Sequence, residues 1–219
     1  MDKVLILLLC AVILAGLPVL SLSEQSNKST TIIETLPFDG LGNGEGEERP
    51  GLLFKLYLPA GYVENPEARY PVLYLLHGSN GSFKDSEWDA FFPLLDRLIA
   101  ERTIPPLIAV APVAGNSYWV DSAKFGPYES AIINALIPHV DANFRTFAHR
   151  EQRYLAGFSM GGYGALRYSL AYPELFSGCI LLSPFVQRKE PPATSRAATD
   201  GVFAGADGEF DPKRWDEKN

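Results

Sequence analysis

The chain has 219 residues, 47% of them hydrophobic and 12% aromatic, which suits one globular domain with a substantial core and excludes a disordered or collagen-like polymer. Its formal net charge is −7 at pH 7, from 26 acidic and 19 basic residues. That balance argues against a nucleic-acid partner, because binding phosphates needs a concentrated Lys/Arg surface and no such run occurs; a neutral or cationic substrate, or a polymer surface, is compatible with it.

Residues 1–23, "MDKVLILLLCAVILAGLPVLSLS", carry a single Lys3, an apolar core from Val4 to Leu20 and then the small residues Ser21 and Ser23. This is the layout of a secretory signal peptide cleaved near Ser23, and it points to a secreted or periplasmic protein with no stable membrane span after cleavage. An uncleaved anchor is the alternative, since the apolar run approaches the ~20 residues that cross a bilayer. Gly16 and Pro18 interrupt the run and favour the cleaved signal. Cys10 lies inside this segment, which leaves Cys179 as the one cysteine of the mature chain. An internal disulfide is thereby excluded, and "SGCILLSP" reads as a buried, small apolar setting for Cys179.

Residues 24–50 are polar and glycine-rich, with a possible edge strand at Thr30 to Leu36. The domain proper is expected over 51–219. It opens with the strand "LLFKLYLP" and, after the loop "AGYVENPEARYP", continues with "VLYLLHG", an almost unbroken apolar run of the kind buried on both faces of a parallel sheet. "WDAFFPLLDRLIAER" has apolar residues at helical spacing, and "PLIAVAP" is the next buried strand. An aromatic loop spans Asn116 to Tyr128. A helix follows with Ile133, Leu136, Ile137, Val140 and Phe144 on one stripe, in which Pro138 predicts a kink. "RYLAGF" reads as a strand, "MGGYGALRYSLAY" as a helix and "SGCILLSP" as another strand. Strands alternating with helices require crossover connections, so the class is α/β with a mostly parallel sheet and helices on both faces. From Phe185 onward the pattern disappears, with no apolar run long enough for a central strand.

The chemistry concentrates at Gly157-Phe158-Ser159-Met160-Gly161. This fits G-x-S-x-G between a strand and a helix, the context of a nucleophile elbow. The glycines serve a turn sharp enough to expose the serine Oγ, and the free N–H groups and positive dipole end of the following helix suit an oxyanion. The bland alternative is a small residue in a tight turn. The strand-to-helix placement, continued by Gly162 and Gly164, favours the nucleophile. A second element supports it: "VLYLLHGSNG" ends a buried strand in His77-Gly78-Ser79, where a glycine-containing loop can turn a backbone N–H inward. An ordinary strand-to-loop turn is the competing reading there.

The stretches "LYLPAGYVENPEARYPVLYLLHGSNG", "GNSYWVDS", "LIPHVDANFRT" and "YLAGFSMGGYGALRYSLAYPELFSG" resemble the esterase D family of α/β-hydrolases, over roughly Leu52 to Pro184. The family includes S-formylglutathione hydrolases, feruloyl and acetylxylan esterases, enterochelin esterases and mycolyl transferases. The resemblance implies the α/β-hydrolase fold, Ser159 as nucleophile, and the backbone N–H groups of Ser79 and Met160 as oxyanion donors. It places Trp88, Tyr118 and Trp119 near the acyl or alcohol pocket, although core or loop packing is the commoner role for aromatics in such positions. No metal or organic cofactor is implied.

In this fold the chain order is Ser, then Asp or Glu, then His. The histidines here are His77, His139 and His149, all upstream of Ser159. His149 precedes the strand that ends at Phe158, which at ~3.3 Å per residue removes it from the elbow. His139 lies along a helix running away from the catalytic edge and reads as a surface or packing residue. His77 is at the correct edge, as a shaper of the oxyanion loop or as a makeshift base. None of the tail carboxylates, Asp200, Asp207, Glu209, Asp211 and Asp216, follows a buried strand. The expectation is an exported serine carboxylester hydrolase, acting on acylated carbohydrate or other small esters, whose 219 residues form a C-terminally incomplete domain without the triad acid and histidine. A non-catalytic ligand- or carbohydrate-binding homologue and an acyltransferase are the alternatives.

Overall fold

The structure is a computed structural model that describes residues 28–79, 81, 88, 90–186, 195–205 and 209–218. The signal-peptide reading and Cys10 fall outside these residues, as does Asp207. In chain order the elements are β1 (Thr30–Pro37), β2 (Gly51–Leu58), β3 (Val72–Leu76), α1 (Phe91–Ala100), β4 (Ile108–Pro112), the short β5 (Asp121–Ser122) and β6 (Gly126–Pro127), and a helical run over residues 128–143. That run consists of α2 (Tyr128–Ser130), a π-helical segment (Ala131–Leu136) and α3 (Ile137–Asn143). A 3₁₀ turn at Arg150–Gln152 leads into β7 (Arg153–Phe158), α4 (Met160–Ala171), β8 (Gly178–Leu182), α5 (Arg196–Thr199) and α6 (Pro212–Lys218).

The six-stranded sheet has the order β1-β2-β4-β3-β7-β8. β1 and β2 run antiparallel, with Thr30 opposite Leu58 and Pro37 opposite Gly51, and β2 runs antiparallel to β4. β4, β3, β7 and β8 are mutually parallel, with Val72 of β3 opposite both Ile108 and Arg153. Every residue of β3 and β4 is buried, which is what their unbroken apolar sequence requires of strands covered on both faces.

Two apolar layers cover the sheet. On one face, Phe92 and Leu95 of α1 and the side chain of Trp88 pack on Leu73, Leu75, Ala109, Ala111 and Ala156. On the other, Ile132, Leu136 and Val140 of the helical run and Tyr168 of α4 pack with Tyr74, Leu76, Val110 and Leu155. Burying each large side chain contributes roughly 1.5–3 kcal/mol. Pro138 does not break the helical run. Its missing N–H falls just after the π-helical turn, whose wider hydrogen-bond spacing absorbs the lost i→i−4 bond. The buried Arg153 guanidinium at the start of β7 pairs with Asp141 of α3 and donates to Leu175 O at 3.0 Å, so its charge is compensated.

The tail departs from its featureless sequence. Ala197, Val202, Phe203 and Trp215 are all buried, and the Phe203 and Trp215 rings meet edge-on at 5.0 Å. Widely spaced single aromatics carry no periodicity, yet they close a cluster with Tyr118 and Phe185 in three dimensions. β8, the last strand in the sheet order, has no outer neighbour among the described residues. Ile180 and Leu182 of β8 and Phe158 of β7 leave 54%, 45% and 42% of their surface exposed.

Candidate active site

Ser159 sits between the last residue of β7 and the first of α4, with φ 52° and ψ −114°. An L-residue pays for this backbone with ~1–3 kcal/mol of strain. Three hydrogen bonds hold it there. The Ser159 N–H donates to Leu182 O at 2.9 Å, and Ser159 O accepts from the N–H groups of Tyr163 (3.1 Å) and Phe185 (3.0 Å). The elbow is thus gripped by its own helix and by the chain leaving β8.

Glycine is required around it by close approach. A Cβ on Gly157 would lie 2.0 Å from Gly161 O, and one on Gly161 would lie 1.8 Å from Leu76 O and 2.7 Å from His77 O. One on Gly162 would lie 2.8 Å from Pro184 Cα. The amino end of α4 therefore rests against the backbone at the end of β3. Met160 is the first residue of α4, so its N–H is among those with no intrahelical acceptor. Ser79, half-buried, lies just beyond the His77 backbone that Gly161 touches. The two expected oxyanion donors are thereby carried by adjoining elements.

The histidines are all placed, and each bonds a partner other than Ser159. His77 is 3% exposed. Its Nδ1 bonds Gly78 O at 2.7 Å and its Nε2 accepts the Ala114 N–H at 3.0 Å. This assigns the proton to Nδ1 and occupies both nitrogens with backbone. Burial pushes the imidazole pKa down to about 4, so the ring is neutral at pH 7. His139 bonds Glu34 Oε2 at 3.2 Å on the β1 side of the sheet, and the exposed His149 bonds Glu151 at 3.0 Å. Of the tail carboxylates, Asp211 faces its own helix, accepting from Lys213 N at 3.0 Å.

The three aromatics have distinct surroundings. Trp88 is 4% exposed and lies under α1, edge-on to Phe91 at 5.6 Å. Trp119 is completely buried; its indole N–H donates to His77 O at 3.2 Å, and its ring centroid lies 4.8 Å from that of His77. Tyr118 meets the rings of Tyr163, Phe185 and Phe203 edge-on at 6.3, 5.8 and 5.7 Å. Since Phe185 and Tyr163 both bond the Ser159 carbonyl, Tyr118 is, of these three, the one linked most directly to the elbow. Both Tyr118 (φ 54°) and Trp119 (φ 62°) occupy the left-handed region.

One group near the site escapes the sequence reading. Glu129, 4% exposed, accepts two bonds from the Arg167 guanidinium of α4 at 2.9 and 3.1 Å and one from the Tyr172 hydroxyl at 2.8 Å. Burial and the Glu129 charge push Tyr172 up to about 12. A single acid inside the apolar stretch "YESAIINAL" is the signal that could have revealed it. Cavities of about 510 and 550 Å³ lie elsewhere. The first is lined by Tyr70, Pro71, Pro105, Pro106 and Gln152, which precede the parallel strands, whereas Ser159 follows one. Ligands of open α/β sheets bind at the carboxyl ends of the strands, so the elbow outranks both concavities. Among the described residues, no group of three or more His, Cys, Asp or Glu converges to hold a metal, and no helix is long and apolar enough to cross a membrane.

Comparison with known proteins agrees with this geometry. The family described as "Putative esterase" matches residues 51–218. An esterase of Mycobacterium tuberculosis is 43% identical over 108 residues, which cover 47% of this chain and 23% of that protein. An endo-1,4-beta-xylanase/feruloyl esterase of Xylanibacter ruminicola is 36% identical over 142 residues, covering 58% of this chain and 19% of the relative. A solved ferulic acid esterase superposes with a TM-score of 0.65 at 26% identity, over 78% of this chain and 65% of its own. The chain thus spans less than a quarter of the first two relatives. Sheet order, elbow and sequence likeness converge on one conclusion: the chain belongs to the esterase D-like family of esterases, built on the α/β-hydrolase fold.

Proposed function

We propose that the protein is an exported serine carboxylester hydrolase that works through an acyl-enzyme on Ser159. The observation that carries this reading is the strained, glycine-framed serine at φ 52° between a parallel strand and a helix N-terminus. Strain of this kind persists where the surroundings over-determine it, and it exposes a hydroxyl at a site rich in backbone donors. Ser159 Oγ attacks the ester carbonyl, and the N–H groups of Ser79 and Met160 receive the oxyanion. The alcohol then leaves, and water releases the acid from Ser159.

A base must accept the Ser159 proton, and His77, His139 and His149 are committed elsewhere. The proton therefore passes to a base other than these three histidines. The feruloyl and ferulic acid esterase relatives favour acylated plant carbohydrate as substrate, which suits an exported protein. Tyr118 is the expected substrate-side aromatic, with Trp88 and Trp119 supporting the walls. The engagement of His77, His139 and His149 with other partners favours a second reading, a ligand-binding homologue with no turnover. An acyltransferase differs from the hydrolase only in what captures the acyl group.

The full-length protein from its natural source, tested on p-nitrophenyl acetate and on acetylated or feruloylated xylan, decides between them. Hydrolysis that Ser159→Ala lowers by at least a thousandfold supports the esterase. Turnover unchanged in Ser159→Ala refutes the nucleophile, and carbohydrate binding without turnover establishes the binding protein.

A further inference from the structure

The two oxyanion donors sit on different elements. Met160 N–H belongs to the first turn of α4, and Ser79 N–H to the loop after β3. Their separation is right for a tetrahedral oxyanion only if the two elements are held in fixed relation, because such donors act through preorganisation. From the contacts around them we infer that Trp119 is the positioning residue that braces α4 against the oxyanion loop, a role that rests on the esterase reading of the site.

Trp119 touches both partners. Toward the loop, its indole N–H donates to His77 O and its ring lies against the His77 imidazole. That imidazole donates from Nδ1 to Gly78 O, the carbonyl of the peptide unit whose other end is the Ser79 N–H. A trans peptide is planar, so fixing Gly78 C=O fixes the direction in which Ser79 N–H points. Toward the helix, the Trp119 carbonyl accepts the Tyr168 hydroxyl of α4 at 2.6 Å. Gly164 lets α4 approach so closely that a Cβ there would lie 2.7 Å from Trp119 Cβ. Trp119 itself is held at φ 62° by the bond from its N–H to Ser117 Oγ at 3.1 Å. Tyr168, Trp119, His77 and Gly78 are all buried, which shields these bonds from solvent. Trp119 reaches the reaction through the Ser79 amide, without touching substrate.

The test uses the full-length protein with Trp119→Phe, which keeps a ring and removes the indole donor, and Tyr168→Phe, which frees the Trp119 carbonyl. With p-nitrophenyl acetate, kcat falls ~10–100-fold in Trp119→Phe and by less in Tyr168→Phe, while KM stays within ~3-fold, because the donors act on the transition state. Affinity for a trifluoromethyl ketone, which forms a tetrahedral adduct, falls in step with kcat/KM. The double variant loses no more than Trp119→Phe alone, as two parts of one brace must. Phe54→Leu, at a buried position within β2, serves as a control: it lowers the melting temperature and leaves kcat unchanged.

Amide hydrogen exchange supplies a readout that needs no turnover. In Trp119→Phe, or in Tyr168→Phe if the first variant does not fold, the amides of Ala114 and Gly81, bonded to His77 Nε2 and Gly78 O, exchange at least tenfold faster. The β2–β4 ladder stays protected. Unchanged kcat in folded variants of an active enzyme overturns the brace. A wild-type protein without esterase activity removes the function reading instead, and unaltered exchange at Ala114 and Gly81 then overturns the brace independently.

Discussion

Ser159→Gly separates the cost of the elbow from its chemistry. Ser159 holds φ 52° and ψ −114°, a conformation glycine adopts without steric penalty. Relieving the strain returns ~1–3 kcal/mol, while glycine's greater freedom in the unfolded chain takes back ~0.5–1 kcal/mol. The net gain is therefore ~0–2.5 kcal/mol, centred near 1, or up to ~10 °C in melting temperature at the ~2–4 °C per kcal/mol typical of this size. Ser159→Ala is the matched comparison, because it removes the hydroxyl and keeps the strained backbone, so its stability stays within ~0.5 kcal/mol of wild type. Thermal and urea unfolding of the three proteins, followed by circular dichroism, measure the difference. The expected order is Gly above Ala and wild type. A glycine variant that melts at or below the alanine variant would show that the backbone is unstrained and would remove the structural argument for a nucleophile.

Gly161→Ala pushes a methyl to within 1.8 Å of Leu76 O. Since backbone on both sides must move, it destabilises by ~1–3 kcal/mol or more and abolishes any turnover; a melting temperature within a degree of wild type would contradict the close approach of α4 to β3. Glu129→Gln leaves the Arg167 guanidinium without its carboxylate. It costs ~3–5 kcal/mol in urea unfolding, and a loss below ~1 kcal/mol would mean that the pair contributes little. His77 has a folded pKa of about 4 against a reference of 6.5. The unfolded chain thus binds the extra proton between those values, and stability is full above pH 6.5 and falls by up to ~3 kcal/mol as the pH drops toward 4. Comparing that slope with the slope of His77→Gln, which lacks the titrating group, isolates the contribution; identical slopes would place the proton elsewhere.

The sequence alone determined the α/β class, the parallel strands and the elbow. Strands buried on both faces must be apolar throughout, as "VLYLL" and "IAVAP" are, and a serine framed by Gly157 and Gly161 leaves few other uses for so tight a turn. These signals are local, confined to a few consecutive residues. Chain order also showed that no histidine follows Ser159, a fact independent of folding. Only the tertiary structure decided what the neighbouring side chains do. Trp119, expected beside the pocket, is buried against His77 and α4, because its partners at Gly164 and Tyr168 are distant in sequence. His77 lies in the loop after β3 as its sequence position implied, but its neutrality comes from burial by the closed layers, and its Nε2 is taken by the Ala114 N–H, which no motif connects to it. The aromatics Phe203 and Trp215 looked isolated until the fold brought them to Tyr118 and Phe185. Pairings of this kind are set by how the layers close over the sheet, and the residues that make them have no periodic spacing along the chain.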